Sequence, residues 1–288
     1  MASTTALKRR ITSVKNTKQI TKAMELVAAS KMRRAQEAAL RSREYRNLAS
    51  AILTRLRELT DVDHHPLFNR RPIKTRTFVL ITSDRGLAGA YNSNLFRELM
   101  LELQKDQNAK IKSQVVAIGK QGAKFVARLQ GVEVVSIYNE LPDHPTADDL
   151  RGILESLLKQ YVKKQADAVD IIYTDFRSSI SQVVTTHRLL PAAFTEVAVS
   201  ADLGKAIFEP SPDAVLNQVA ERLVEVQVWQ AVLEAAASEH SMRMLAMKNA
   251  TDNASEIIDD LTLEFNTARQ SAITQELAEI TGGAEAIK

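Results

Sequence analysis

The sequence contains no cysteine, so it can form no disulfide and can use neither thiol catalysis nor thiolate metal ligands. Its five histidines lack the spacing of metal ligands. No run of apolar residues approaches the 18 that would suggest a bilayer-spanning helix. The N-terminus leads directly into Lys8, Arg9 and Arg10 without the apolar core of a signal peptide. We therefore expect a protein without a direct membrane span and with no sign of secretion.

Glycine and proline are scarce, and both are missing from two long stretches, residues 3–59 and 213–281. These two residue types most often end a helix, so each stretch is predicted to form one uninterrupted helix. At about 1.5 Å per residue the helices would extend roughly 80 and 100 Å. A compact globule of this size has a radius of gyration of only about 19 Å. Each helix therefore needs a partner along its length.

Apolar residues in the second stretch alternate at spacings of three and four, which is typical of a coiled-coil seam. Alanine and polar residues in the middle of the seam would weaken it locally. The alternative is one very long helix within a helical bundle. The apolar seam positions are Leu216, Val219, Leu223, Val226, Leu233, Met244, Met247, Ala254, Ile258, Leu261, Phe265, Ala268 and Ala272, and the remaining ones are Gln230, Ala237, His240, Thr251 and Gln275.

The first stretch shows a similar pattern whose phase changes along the helix, so we expect an irregular supercoil with stutters. Its apolar residues fall into four groups: Leu7, Ile11 and Val14; Ile20, Met24 and Val27; Ala28, Met32, Ala35 and Ala39; and Tyr45, Leu48, Ile52, Leu56 and Leu59.

The modest net charge of +3 conceals a strong polarity between the two stretches. Residues 1–57 carry 14 Lys/Arg against 3 Asp/Glu, whereas residues 213–281 carry 4 against 12. A basic segment alone would suggest nucleic acid, an anionic membrane or an acidic protein surface. An acidic segment of similar length favours another interpretation, in which the two helices pair with each other. Because the chain runs out along one helix and back along the other, they are predicted to be antiparallel.

The middle of the chain has a different pattern, beginning with the β-branched and aromatic run Thr77–Thr82. Strand and helix patterns then alternate to about Asp175, which is typical of a parallel sheet covered by helices on both faces. Ser181–Leu190 suggests a further strand, which we interpret as a candidate hairpin edge. We predict an α/β fold with long helices: an antiparallel coiled coil of the terminal helices with an inserted Rossmann-like α/β domain. The predicted domains are residues 1–60, 73–195 and 210–286.

The turn after the first predicted strand is the best candidate for a ligand site, because phosphates bind there in sheets of this kind. It contains only Gly86 and Gly89, so the three-glycine fingerprint is incomplete, and the chain has no Gly-Lys-Ser/Thr phosphate loop. We expect a structural turn or docking surface here, with a bound nucleotide as the alternative. Asp84 with Arg85, and Asp175 with Arg177, are interpreted as solvated ion pairs because no catalytic set surrounds them. We expect no catalytic residue, cofactor or metal.

Three long motifs together resemble the gamma subunit of F-type ATP synthase, and they cover essentially the whole chain in order. The first runs from Arg10 to Arg34, RITSVKNTKQITKAMELVAASKMRR. The second is the turn SDRGLAG at residues 83–89. The third comprises MRMLAMKNATDN at 242–253 and NTARQSAITQELAEITGGA at 266–284. The lack of cysteine differs from chloroplast members, which carry a regulatory insert containing cysteine, and suggests a bacterial type.

The resemblance implies a rotor shaft, a non-catalytic subunit that couples rotation of a membrane c-ring to ATP synthesis or hydrolysis. The implied partners are the alpha and beta subunits of a catalytic hexamer, the epsilon subunit and the c-ring, on the cytoplasmic side of the inner membrane. Residues implied to contact the hexamer are Met24, Arg33, Arg34, Arg243, Arg269, Gln270, Thr274 and Glu276.

Three other functions remain open at this point. The first is a non-motor coiled-coil adaptor whose α/β head docks a partner. The second is a nucleotide-using enzyme, for which we expect no ATP or NAD binding. The third is a nucleic-acid protein, whose affinity would fall steeply with salt; we expect no nucleic-acid partner.

Overall fold

The computed structural model describes residues 4–142, 145–193 and 206–285. Its helices are α1 (Thr4–Arg57), α2 (Tyr91–Asn108), α3 (Lys120–Val126), α4 (Ala147–Val162) and α5 (Pro212–Glu285), with a short 3₁₀ turn at Val62–His64. Its strands are β1 (Thr75–Ile81), β2 (Lys112–Ile118), β3 (Glu133–Tyr138), β4 (Ala168–Phe176) and β5 (Gln182–Leu190). The combination of a five-stranded sheet with two long terminal helices confirms the predicted fold class.

The strands form one sheet in the order β3-β2-β1-β4-β5. The first four are parallel, and β5 runs antiparallel to β4 as a hairpin edge. The parallel part places Val79 beside Val116 on one side and Ile171 on the other. Strand order reverses between β1 and β4, as in doubly wound sheets that bind ligands at their carboxyl edge.

The two faces of the sheet bury separate apolar clusters, because successive strand side chains point to opposite faces. Phe78 and Leu80 pack with α2 and α3 on one face. Val79 and Ile81 pack on the other face with α4 and with parts of both long helices. From α1 this second cluster takes Ala49, Leu53 and Leu56; from α5 it takes Leu216, Ala220, Leu223, Val224, Val228, Ala231, Val232 and Ala235.

By its packing, the chain divides into two compact units. One consists of residues 1–28 with 243–288, and the other of residues 29–242. The boundary cuts both long helices, so the division into 1–60, 73–195 and 210–286 stays a prediction. Residues 1–3, 143–144, 194–195 and 286 of that division lie outside the described ranges.

In the smaller unit, α1 buries or half-buries residues at an unbroken three-and-four spacing. The predicted change of phase at Ile20 is therefore wrong: Ile20 and Val27 are 61% and 55% exposed, whereas Thr21 and Ala28 are buried. Polar side chains fill the seam where the apolar pattern drifts away from it. The inward positions are Thr4, Leu7, Ile11, Val14, Lys18, Thr21, Glu25 and Ala28. Met24 of the predicted group is half-buried beside Glu25.

The seam of α5 in this unit follows the predicted positions from Met247 to Ala268, all of them buried or half-buried. Beyond them the prediction fails, because Ala272 and Gln275 are exposed. The helix also continues through Gly282 and Gly283 to Glu285, past the expected stop. A glycine in a helix costs only about 1 kcal/mol relative to alanine and does not forbid the helix.

In the larger unit, α1 and α5 run antiparallel, as predicted. The Thr60 hydroxyl donates a hydrogen bond to Asp213 at the start of α5, and Tyr45 lies near Arg222, further along α5. The predicted burial of Tyr45, Leu48 and Leu59 is wrong, because each is at least 46% exposed. The α/β domain covers a neighbouring side of α1 instead, which buries Ala49, Leu53 and Leu56.

A half-buried ion pair joins the chain entering the sheet to the loop before β4. Arg71 Nε donates to Asp167 Oδ1 at 2.7 Å, and the Arg71 guanidinium lies 4.4 Å from the ring centroid of Tyr161. Asp167 Oδ2 accepts hydrogen bonds from the backbone N–H groups of Lys74 and Thr75. Burial raises the pKa of Asp167, but these N–H groups and Arg71 outweigh it, so the pKa lies below its ordinary value.

We expect Asp167→Ala to lower the free energy of unfolding by about 3 kcal/mol, because it leaves Arg71 and two backbone N–H groups without their acceptor. A group whose folded-state pKa is lowered contributes stability above its unfolded pKa and loses it as the pH falls through the folded value. The loss of unfolding free energy in Asp167→Ala should therefore be complete at neutral pH and become smaller below about pH 4. Urea unfolding of Asp167→Ala at several pH values measures the loss of unfolding free energy and its pH dependence.

Asp148→Ala, at an exposed ion pair on α4, is the matched control, and its free energy of unfolding should change little. A deficit that is equally small in both variants would contradict the account.

Candidate functional site

The last turns of α5 form a helical segment that no other described part of the chain covers. Every residue from 269 to 282 is exposed. Ile273, Leu277 and Ile280, which are 50%, 58% and 68% exposed, follow one another at spacings of four and three. On an α-helix this spacing places them on one face. An apolar stripe on a solvent-exposed helix marks a candidate contact surface.

Four of the predicted site residues lie on this segment: Arg269, Gln270, Thr274 and Glu276 are all exposed. At about 100° of rotation per residue, Arg269 and Glu276 fall on one flank of the apolar stripe, and Gln270 and Thr274 on the other. The Thr274 hydroxyl donates to the Gln270 carbonyl at 2.9 Å, as serine and threonine often do within helices. We call residues 269–282 the tip segment. It presents apolar, cationic, anionic and amide groups together.

The other predicted site residues do not lie on the tip segment. Met24 is half-buried, and Arg243 is only 9% exposed, so Arg243 is packed against its surroundings rather than displayed. Along the helix axis, Arg243 lies about 39 Å from Arg269, toward the N-terminal end of α5. Arg33 and Arg34 are exposed on α1 in the larger unit.

The structure adds an exposed apolar stripe on α1 that was not predicted as a site. Ile20, Ala23 and Val27 are exposed and lie on one face of the helix at spacings of three and four. Continuing the Leu7, Ile11 and Val14 seam at strict heptad spacing would have left these residues outside it. That signal was present in the sequence, but the change of phase assigned to the apolar groups hid it.

The turn after β1 is fixed by its own hydrogen bonds. Asp84 accepts from the backbone N–H of Lys120 at 2.9 Å and from that of Glu140 at 3.1 Å. This carboxylate therefore caps α3 and ties the end of β3, whereas the solvated ion pair with Arg85 was the expected role. The Thr82 hydroxyl donates to the Ile118 carbonyl and accepts from the Gly122 N–H, both at 2.8 Å. These contacts fit the predicted structural turn.

Close packing against the turn after β1 explains a glycine at the neighbouring junction of β2 and α3. Gly119 has a φ of +96°, and a Cβ added there would lie 2.2 Å from the Thr82 carbonyl oxygen.

Elsewhere, Arg177 and Asp175 form the predicted exposed ion pair, with 3.4 Å between Nε and Oδ2. No group of three or more His, Asp or Glu side chains suited to a metal occurs in the described ranges. None of the helices in these ranges has an apolar stretch long enough to cross a membrane.

Comparison with known proteins identifies the family. The protein-family model described as ATP synthase matches residues 3–287. The chain is 43% identical to the ATP synthase gamma chain of Moorella thermoacetica over 288 residues, covering all of both chains. It is 41% identical to that of Opitutus terrae, covering 97% of each, and 39% identical to that of Acidithiobacillus ferrooxidans over the full length of both.

Solved structures agree with these relatives. A chain of the Tetrahymena thermophila mitochondrial ATP synthase, from a structure of the central stalk and c-ring, superposes with a TM-score of 0.63 at 27% identity. That match covers 80% of the present chain and 99% of the other. A chain of the Euglena gracilis mitochondrial ATP synthase gives a TM-score of 0.67 at 18% identity, covering 99% and 94%, and shows the shared fold. The chain therefore belongs to the family of ATP synthase gamma chains, the central-stalk rotor subunits of that enzyme.

Proposed function

We propose that this chain works as a rotor shaft whose tip segment turns inside a ring of alpha and beta subunits. Rotation of a c-ring at its other end would thereby be coupled to ATP synthesis, or driven by hydrolysis in reverse. The observation that carries the proposal is the uncovered apolar face of Ile273, Leu277 and Ile280. Burying a side chain of this size contributes about 1.5–3 kcal/mol, so a surrounding partner gains a large contact by covering the stripe.

The shaft would act on catalytic sites through unequal contacts. A single chain has no threefold symmetry, so it touches three equivalent neighbours differently and biases their conformations differently. Shifting one site from 1:99 to 99:1 takes about 5.5 kcal/mol. Hydrogen bonds to charged groups contribute about 1.5–3 kcal/mol each, so two or three contacts from residues such as Arg269 and Gln270 suffice.

The surface of α1 supports a second contact region. The exposed side chains of Arg33 and Arg34 lie on this basic helix within the larger unit. Arginines that face an acidic segment of a beta subunit would attract it without a tightly fitted interface. In the smaller unit, half-buried Met24 beside the exposed stripe of Ile20, Ala23 and Val27 would form a separate contact with a beta subunit.

The remaining roles are part of the same proposal. The α/β domain would form the footing that contacts the epsilon subunit and the c-ring. The chain would then lie peripherally on the cytoplasmic side of a bacterial inner membrane and contribute no catalytic residue or cofactor. Turn hydrogen bonds that use Asp84 and Thr82 internally support a structural rather than a nucleotide-binding role for the sheet edge.

We expect the triple variant Ile273→Ser, Leu277→Ser and Ile280→Ser to assemble with alpha and beta subunits at least about tenfold more weakly, because it removes the apolar contact. Circular dichroism of the free chain should be unchanged, since these side chains are exposed there. The measurements are the affinity of the purified chain for the alpha–beta complex and the ATPase rate of the assembly. Ile180→Ser is the control, because Ile180 is 88% exposed on the β4–β5 turn instead. Equal assembly of the triple variant and wild type would contradict the proposed role of the tip.

Charge reversal at Arg33 and Arg34 tests the second contact region. We expect Arg33→Glu with Arg34→Glu to lower the torque and ATP-driven proton pumping several-fold, because like charges would face the acidic beta segment. Single-molecule rotation against viscous load measures the torque directly. Arg151→Glu, which reverses an exposed charge on α4, serves as the control. Unchanged torque in the Arg33 and Arg34 double variant would show that these residues do not carry the contact.

A further inference from the structure

Positive charge is concentrated at one edge of the parallel sheet, where the strands begin. The connections that lead into β1, β2, β3 and β4 contain seven Lys/Arg and one Asp/Glu, whereas the connections that leave these strands contain two and three. Because the four strands are parallel, their amino ends meet at one edge of the larger unit, which we call the amino edge. The incoming connections are residues 65–74, 109–111, 127–132 and 163–167, and the outgoing ones are 82–90, 119, 139–146 and 177–181.

Most of the cations at the amino edge face solvent. Six of the seven are exposed, and none of the six forms an ion pair with a described residue. The seventh, Arg71, pairs with Asp167, the single acid in these connections. The strand starts are in direct contact, since the Lys112 N–H donates to the Lys74 carbonyl at 2.9 Å and the Asp167 N–H to the Thr75 carbonyl at 2.8 Å. The six exposed cations are Arg70, Lys74, Lys110, Arg128, Lys163 and Lys164.

Two of these lysines occupy backbone positions that suit glycine better. Lys110 and Lys164 have φ values of +57° and +59°, and each comes just after a helix, α2 or α4. Their N–H groups close the last helical turns by donating to the Gln107 and Tyr161 carbonyls, both at 3.1 Å. Glycine is the usual residue at such a position, because a side chain disfavours the left-handed conformation. The backbone therefore gives no reason for lysine at either turn.

Helix dipoles account for only part of the charge. The C-terminal ends of α2, α3 and α4 lie at the amino edge, and each carries a partial charge of about −0.5 that attracts cations. Three helix ends thus offset roughly one and a half of the six positive charges. Arg70 and Lys74 precede β1 and follow none of these helices. Most of the positive charge is left for an anionic partner.

The types of side chain favour a membrane surface over an acidic protein as that partner. Four of the six cations are lysines, which are depleted at protein interfaces, whereas arginine and aromatic residues are enriched there. The one Phe, Tyr or Trp in the incoming connections, Phe68, is buried. Ammonium groups on flexible stems bind phosphate as point charges and need no fixed geometry. Clusters of about four to eight Lys/Arg are typical of contact with anionic lipid.

We propose that the amino edge of the sheet is an electrostatic docking surface for a membrane that contains anionic phospholipid. Its orientation within the larger unit suits this contact. The Ser238 hydroxyl donates to the Thr174 carbonyl at 3.0 Å, which holds the carboxyl end of β4 beside the part of α5 that leaves this unit. The amino edge is the opposite end of the sheet and faces away from that exit. The contact is a property of the chain itself and stands whether or not the tip segment turns inside a ring.

The test measures binding of the purified full-length chain to vesicles of phosphatidylcholine with about a third phosphatidylglycerol, by sedimentation at about 0.1 M salt. Lys110→Gly with Lys164→Gly removes two charges at positions that favour glycine, so the fold should be retained. Each cation near an anionic membrane strengthens binding about fivefold, the equivalent of about 1 kcal/mol, so this variant should bind about 25-fold more weakly. Vesicles of phosphatidylcholine alone should bind neither protein, and about 0.5 M salt should abolish binding of the wild type.

The matched control is Lys8→Gln with Lys15→Gln, which removes two exposed charges from α1. The smaller unit contains ten Lys/Arg and nine Asp/Glu, so its basic helix is nearly balanced by acidic residues of the same unit. This control should therefore bind the vesicles like the wild type.

An equal loss of binding in both variants, no loss in the glycine variant, or wild-type binding that persists at high salt would overturn the proposal. So would unchanged vesicle binding of the glycine variant together with weaker assembly with alpha and beta subunits, because that result assigns the amino edge to an acidic protein.

Discussion

The structure depends on the seam between two helices that are too long to be covered by a globular domain. The C-terminal helix has 74 residues. Helices in proteins gain most of their stability from packing an apolar face against a neighbour. In the smaller unit, α1 supplies that cover from Met247 to Ala268. Where the cover ends, the tip segment exposes its apolar stripe, and this change from covered to uncovered helix makes the tip segment a candidate contact surface.

In the larger unit, the α/β domain packs against segments of both long helices. Leu53 and Leu56 of α1 and Leu223 and Val224 of α5 belong to one apolar cluster with the β1 and β4 side chains. A close-packed cluster of this kind transmits strain rather than absorbing it. The domain and the helix segments within this unit should therefore move as one body.

Much of this architecture could be predicted from the sequence, because long-range features have simple local causes. The absence of glycine and proline from residues 3–59 and 213–281 predicted both helices, and alternating strand and helix patterns predicted the sheet. The hydrogen bonds of the turn after β1 could not be predicted from the sequence. Asp84 looks like half of an ion pair in sequence, and only the fold brings the N–H groups of Lys120 and Glu140 to its oxygens.

The seam of α1 shows where apolar patterns mislead. Ile20 and Val27 suggested a change of phase, but the seam keeps its heptad spacing and buries Thr21, whose hydroxyl meets that of Thr251 on the other helix. A satisfied polar pair cannot be recognised from one helix alone. The tip residues Arg269, Gln270, Thr274 and Glu276 came from family resemblance. They are exposed because no described part of the chain packs against this part of α5, and no local pattern in α5 predicts that.

Amide hydrogen exchange along α5 tests the central claim most directly, because exchange reports local opening of a helix. In the free chain, residues 247–261 should exchange slowly, whereas residues 269–282 should exchange quickly. Assembly with alpha and beta subunits should slow exchange in residues 269–282 by at least about tenfold, since a contact that covers the apolar stripe opposes helix opening. Strong protection of residues 269–282 in the free chain, or no added protection on assembly, would contradict the account.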